Sequence, residues 1–253
     1  MTVGAYSETV SELLDRRARK KAQTREQIRR IAHRLFHERG FDAVTIADVA
    51  RQADVAVQTV FNHFATKEEL FFDGRVDWVD GPAEAVRSRA ASVPPLTAVR
   101  EYLVELAGSL VSSLAHEERR RYTVTLLASD ALRAYERELI IEAERRLSAA
   151  QTEAWSGGTD AGGLPASTDP ALAAALTAAV WCSSVRVLVQ EQRPRLTAGL
   201  ACPEELAQAV ESLTSGLLAQ LESHAPLTER PSGRTGSSGR TGNGWPLATQ
   251  RAG

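Results

Sequence analysis

The tightest constraint on this chain lies between Gly40 and Thr66, where two short apolar-periodic segments flank a break of only a few residues. Thr45-Ile46-Ala47-Asp48 opens one helix, with Ile46, Val49 and Ala50 on one face. After a break around Asp54, a second helix is expected from about Val57 to Phe64. Upstream, Thr24-Arg25-Glu26-Gln27 reads as a capping box with Thr24 as N-cap. Ile28, Ile31, Ala32, Leu35 and Phe36 come next at helical spacing, and Gly40 is the expected stop. Two short helices with a tight break, preceded by a longer one, make a helix-turn-helix. Its second short helix can enter the major groove of DNA. That helix presents Val57, Gln58, Thr59, Phe61, Asn62 and His63, while Val55, Val60 and Phe64 can face inward. Asn and Gln can pair bidentately with adenine, and Thr can meet a thymine methyl or a phosphate.

The rest of the chain is helical too. Ala, Leu, Glu and Arg dominate, and long alternating β-branched runs are absent. Thr66-Lys67-Glu68-Glu69 opens a fourth helix expected to run towards Trp78, and Gly81-Pro82 and Val93-Pro94-Pro95 punctuate the chain beyond it. Long helices are expected over about 96–115, 117–128 and 130–156, with the Glu/Arg-rich stretch from Glu136 to Arg146 as a solvated face. Asp169 should cap a strongly apolar helix that begins at Pro170 and ends at Pro194. A last helix starts at Pro203, with Leu206, Val210, Leu213, Leu217 and Leu221 along one side. Beyond Ser223, a Gly/Ser/Pro-rich basic stretch repeats SGRTG and is read as a disordered tail.

Charge is segregated along the chain. Residues 16–64 carry a net +6 and residues 65–223 a net −8, so a polyanion should meet only the first part. No apolar run is expected to reach the roughly 18 residues of a membrane span. The opening MTVGAYSETVSELLDRR lacks a basic region followed by an apolar stretch, so no secretory leader and no membrane association are expected. Cys182 and Cys202 stand in no metal or redox spacing. His33 and His37 have a metal-capable spacing but no obvious third ligand, so no metal and no cofactor are expected. Nor is an enzyme expected. SGGTDAGG, beginning at Ser156, lacks the strand-loop-helix context of a phosphate loop, and there is no nucleophile elbow.

The stretch RIAHRLFHERGFDAVTIADVARQADVAVQTVFNHFATKEELF closely resembles the DNA-binding domain of the tetracycline-repressor (TetR) family. The elements that carry the match are Phe36, Gly40-Phe41, Thr45 to Ala50, Ala53 with Val55, Thr59-Val60-Phe61, His63-Phe64 and Lys67 to Leu70. The resemblance implies an all-α protein: an N-terminal three-helix helix-turn-helix domain joined to a C-terminal helical domain that binds a ligand and dimerises. Expected boundaries are 1–21 for a basic extension, 22–72 for the reader, 73–223 for the sensing and dimerisation domain, and 224–253 for the tail. It also implies phosphate contacts for Thr45, His63 and Lys67. Val57, Gln58, Thr59, Phe61 and Asn62 fall where the family meets bases and nearby backbone. Arg19, Lys20, Lys21 and Arg25 fall where basic arms reach DNA. Three positions depart from the family pattern: Asp54 for a turn glycine, Ala56 for a serine N-cap, and Phe61 for a common tyrosine.

The expected function is a cytoplasmic, dimeric regulator, of the repressor kind, on a palindromic double-stranded operator, released by an unidentified small-molecule effector. The alternative is a DNA-binding regulator without a ligand, controlled by a partner or by abundance. For the ligand pocket the expected lining is Leu103, Leu106, Leu110, Tyr122, Leu126, Trp181 and Arg186. For the dimer interface the expected residues are Val180, Leu206, Val210, Leu213 and Leu217.

Overall fold

The structure is a computed structural model that describes residues 3–156 and 169–224, with side chains over 16–156 and 169–222. Among the described residues it is all-α. The basic tail and most of the Gly-rich segment after Ser156 lie outside them.

Helix α1 runs from Val3 to Arg39 without interruption. The expected cap at Thr24 is therefore corrected. No proline breaks this stretch, and the Thr24 hydroxyl donates back to the Lys20 carbonyl (3.0 Å), a bond that lets threonine sit inside a helix. Gln27 instead donates to the Ala53 carbonyl (3.0 Å), tying α1 to the turn of the reader. Arg19, Lys20 and Lys21 consequently stand on an exposed helix face. Gly40 ends α1 in left-handed geometry, as expected (φ +81°).

Helices α2 (Ile46–Gln52), α3 (Val57–Phe61) and α4 (Lys67–Phe72) complete the reader. Ile28, Leu35, Phe36, Val49, Val60, Phe64 and Leu70 close its core. Leu126 and Leu132, from the following domain, belong to the same apolar cluster, so the reader shares a core with the base of the bundle.

Helix α4 stops at Phe72 rather than running on towards Trp78. Gly74 adopts φ +69°, and a Cβ there would collide with the Arg29 guanidinium. Helix α5 (Asp77–Arg87) then passes through Gly81-Pro82 instead of breaking there. Gly81 is bare where the Tyr102 hydroxyl presses against it. The remaining helices are α6 (Pro95–Ser112, followed by a 3₁₀ turn over Ser113–Ala115), α7 (Glu117–Ala128), α8 (Asp130–Ser156), α9 (Pro170–Gln190), α10 (Arg193–Thr197) and α11 (Pro203–His224). Asp169 caps α9 through the Ala171 amide (3.0 Å), as expected. Pro194 does not end α9; it sits in the first turn of α10, where its missing N–H costs nothing.

The bundle core gathers Val99, Leu103, Leu147, Ala174, Trp181, Val185, Val210 and Leu218. The expectation of no membrane-length apolar segment is also corrected. Pro170–Thr197 contains a window of mean hydropathy 1.8, long and apolar enough to cross a membrane by length and composition. Of that window, 44% is buried inside the molecule. One side of α9 packs into the bundle core, while Leu172, Leu176, Val180 and Val187 stay exposed on its outer side.

Candidate nucleic-acid interface and bundle cavity

The reader's outward face is built by what holds its other side. Thr45 caps α2, accepting from the Asp48 amide (3.1 Å) while the Asp48 carboxylate accepts from the Thr45 amide (3.0 Å) and hydroxyl (2.6 Å). These bonds, with Arg51 beside it, hold the Asp48 carboxyl at about 2, below the usual carboxylate range. Asp54 takes the turn at φ +53°, the left-handed position where the family pattern has glycine. Ala56 stands at the N-cap of α3 with no side-chain bond to give. Buried Val60 pins α3, and Val57 (42% exposed) and Phe61 (46% exposed) project outward with Gln58 and Asn62. Gln58 donates to the Asn62 side-chain oxygen (3.2 Å), so the two amides are aligned on one face. Thr59 is half-buried beside them.

The cations around α3 differ in how free they are. Lys67 donates to the carbonyls of Phe41 and Val44 (3.0 Å each) and lies 4.1 Å from the centre of the Phe41 ring. An ammonium has three donors, so one remains for a phosphate. Arg25 is more fully engaged. It donates to the His63 carbonyl, pairs with Asp73 (2.5 Å) and stacks over Phe64 (4.2 Å), clamping α1 to the ends of α3 and α4. His63 is half-buried with Nδ1 unpartnered; burial, then Lys21 and Arg25, lower its pKa.

His33 is a strut between the domains. Its Nε2 meets the Leu70 carbonyl (3.1 Å) and its Nδ1 meets the Arg75 guanidinium (3.3 Å). Arg75 also pairs with Glu118 of α7 (2.9 Å) and lies over one face of Tyr122 (4.4 Å), whose ring stacks on Phe71 (4.6 Å between centroids, 13° between planes). Tyr122 thus belongs to the seam between reader and bundle. It lines a small inner cavity of about 40 Å³ and a cleft of about 890 Å³ that it shares with His33, Arg75 and Glu118, rather than the main cavity of the bundle.

The main bundle cavity, about 80 Å³, lies between α5, α6, α8 and α9. Of the residues expected at a ligand pocket, Leu103, Leu106, Leu110 and Arg186 line this cavity. Leu126 and Trp181 do not: Leu126 is buried in the reader's core and Trp181 in the bundle's, each filling a packing position. Sequence reasoning missed Trp78, Ile140, Cys182, Val185, Val189 and the polar group Glu136, Gln190 and Arg193. Glu136 was expected on a solvated face, yet it is 7% exposed and paired with Arg193 (2.8 Å). Its signal was its place in the inward stripe of α8 with Leu132, Ala143 and Leu147. The neighbouring Glu142 does pair along the helix with Arg145 and Arg146 (2.7 Å each), as a solvated face does. Burial pushes the Cys182 thiol up to about 12.

The residues expected at a dimer interface divide. Val180, Leu213 (61% exposed) and Leu217 face outward, whereas Val210 is a core residue and Leu206 packs against that core. Leu172, Leu176 and Val187 join the outward set.

A helix-turn-helix with an outward, uncharged amide-bearing face, joined to an all-helical bundle, defines a class of DNA-reading proteins. Residues 28–73 match the family model described as bacterial regulatory proteins, tetR family. It is similar to the HTH-type transcriptional regulator AcrR of Shigella flexneri, 28% identical over 135 residues, which are 52% of this chain and 61% of that protein. It is similar to the HTH-type transcriptional regulator TtgR of Pseudomonas putida, 36% identical over 100 residues, 38% of this chain and 47% of that protein. The chain thus spans roughly half to three-fifths of the curated relatives it matches. Among solved structures, the SmeT–triclosan complex shares the fold, with a TM-score of 0.51 at 19% identity, covering 77% of this chain and 91% of that one.

Proposed function

We propose that this chain is a transcriptional regulator that binds a two-fold operator as a homodimer and releases it when a small molecule enters the bundle. The observation that carries the reading is the outward face of α3. Val57, Gln58, Phe61 and Asn62 stand clear of the core on a helix fixed from behind by Val60 and Phe64. Lys20 and Lys21 are exposed at one flank and Lys67 stands at the other, where cations can hold phosphates while the amides meet base edges. Thr45 and His63 are proposed as further backbone contacts, and Arg25 as the clamp that positions them. A regulator of this kind works where the DNA is, in the cytoplasm.

The outward stripes of α9 and α11 support a dimer, since joined to their symmetry mates they would form a four-helix bundle. The SmeT–triclosan structure is of a fold relative holding a small molecule. A cavity of about 80 Å³ is well below the several hundred Å³ common for ligand sites, and that favours the second reading, a DNA-binding regulator without a small-molecule effector. A vestibule of about 440 Å³ outside it shares Glu136, Ile140, Arg186, Gln190 and Arg193 with the cavity, and this supports the first.

The test is selection of bound fragments from random duplex DNA. The expected result is one inverted-repeat sequence, bound in a salt-dependent way. Asn62→Ala should cost roughly 1–3 kcal/mol on that sequence and relax one symmetric pair of positions. Recovery of no preferred sequence would overturn the reading.

A further inference from the structure

The vestibule, the main cavity and the inner cavity form a row whose lining residues overlap. Glu136 and Arg193 line all three, so their ion pair stands at the junction. Inward of it the main cavity is walled by Leu103, Leu106, Leu110, Ile140, Val185 and Val189, an apolar lining. At its mouth the polar groups are unequally satisfied. Both Glu136 oxygens are taken, by Arg193 (2.8 and 2.9 Å) and by Gln190 (3.4 Å). Arg186 donates only to the Gln190 side-chain oxygen (3.2 Å), and no carboxylate lies within ion-pair distance of it among the described residues. In the vestibule, Arg133, Arg137, Arg186 and Arg193 face only Glu136 and Glu144, with Arg133 held by Asp130. The entrance is therefore positive and the interior apolar.

We propose that the bundle site takes a short-tailed amphipathic anion, its apolar tail inward and its singly charged head on Arg186. The inference rests on the reading of the bundle as a ligand sensor and names the chemical class that site accepts. A planar guanidinium matches a carboxylate fork, and its half-buried position strengthens the bond relative to water. A cationic ligand meets more guanidinium than carboxylate charge at the entrance, because Glu136 is already saturated by Arg193 and Gln190 and Glu144 already lies in the field of Arg186. A neutral alcohol gains the same tail burial but forms no ion pair with Arg186, whose opposing charge in the field, Glu144, is not within ion-pair distance. The inner cavity is lined by Arg75, Arg119 and the Glu136–Arg193 pair, so the tail has the main cavity alone, whose about 80 Å³ holds about three small groups at roughly 30 Å³ apiece and sets a short tail.

The experiment titrates the full chain with hexanoate, hexanol and hexylammonium, read by ligand-observed NMR and by tryptophan fluorescence, Trp78 being in the cavity wall. Hexanoate should bind at least about tenfold tighter than hexanol, the worth of one charge-assisted hydrogen bond, and hexylammonium weakest. Arg186→Gln should bring hexanoate down to the level of hexanol and leave hexanol unchanged, with helix content intact by circular dichroism. Leu106→Trp, which fills the cavity, should abolish binding of both. Equal affinity for hexanoate and hexanol, or an Arg186→Gln protein that keeps the preference, overturns the anion assignment while the sensor reading stands. Hexanoate binding that survives Leu106→Trp places the anion elsewhere and overturns it too. No binding of any of the three overturns the assignment together with the sensor reading.

Discussion

At the scale of single residues, the side chains nearest the proposed DNA face carry structural duties as well. Lys67 holds the Phe41 and Val44 carbonyls and lies over a ring, so Lys67→Ala should lower stability by about 1–2 kcal/mol. The same change should reduce the salt dependence of DNA binding by about one counterion unit. Chemical denaturation and binding at several salt concentrations check the two effects separately. His33 gives a pH signature. Its two ring contacts suit the neutral ring, with Nε2 donating to Leu70 and Nδ1 accepting from Arg75. Burial, then the Arg75 charge, lower its pKa from 6.5 to about 4. The unfolded chain therefore binds the proton more readily. The stability that neutral His33 contributes is complete above pH 6.5 and drains away as pH falls towards about 4. His33→Gln, which can donate and accept at the same places, should flatten the fall in denaturation midpoint between pH 7 and pH 5. An undiminished slope would exclude His33 as its source.

Among the elements, legibility tracked how local the deciding force was. The capping of α2, α4 and α9 was readable because each cap depends on residues two or three apart. The left-handed turn at Asp54 was readable from the missing glycine of the family pattern. The start of α1 was not, because a Thr-x-x-Gln box is equally compatible with a helix that runs straight through it, and Thr24 and Gln27 found other partners. Gly81-Pro82 looked like a break because the sequence does not announce that Tyr102 would occupy the glycine's empty side. Glu136 was the clearest loss at the candidate site. Its partner Arg193 lies beyond two helix ends, so the stripe of α8 could show that Glu136 turns inward but not which cation would pair with it there. The turn offers a direct check. Asp54→Gly removes the steric cost of a left-handed Cβ and should raise stability by up to about 1 kcal/mol, read as a higher denaturation midpoint. Asp54→Val should lower it by a similar amount or more. A destabilised Asp54→Gly protein would mean that the aspartate side chain holds the turn.

For the molecule as a whole, α9 and α11 leave Leu172, Leu176, Val180, Val187, Leu213 and Leu217 exposed among the described residues. Leu213 and Leu217 are one turn apart and exposed, unlike Val210 in the same helix. Leu213→Glu/Leu217→Glu should therefore keep its helix content and sediment as a monomer, because a carboxylate buried unpaired in an interface is costly. Its affinity for an inverted repeat should fall sharply, each reader now binding alone. A folded double mutant that still sediments as a dimer would place the interface elsewhere. In contrast, Val210→Glu should unfold the bundle, since that residue faces the chain's own core.

The Tyr122 ring, stacked on Phe71 and held by the Arg75 guanidinium, has a consequence for how any signal could travel. It bolts the reader to the foot of α7, and the shared cluster with Leu126 and Leu132 tightens the joint. Such a joint transmits rotation as a rigid crank does and absorbs little of it. Two cranks on one dimer axle change the gap between their tips without changing the tips themselves. On the proposed function, the ligand-bound protein would then retain an intact grip on each half-site and fail only at the original spacing. Operators with base pairs inserted or removed at the centre would restore its binding, so the effector would act as a change of gauge rather than an off-switch.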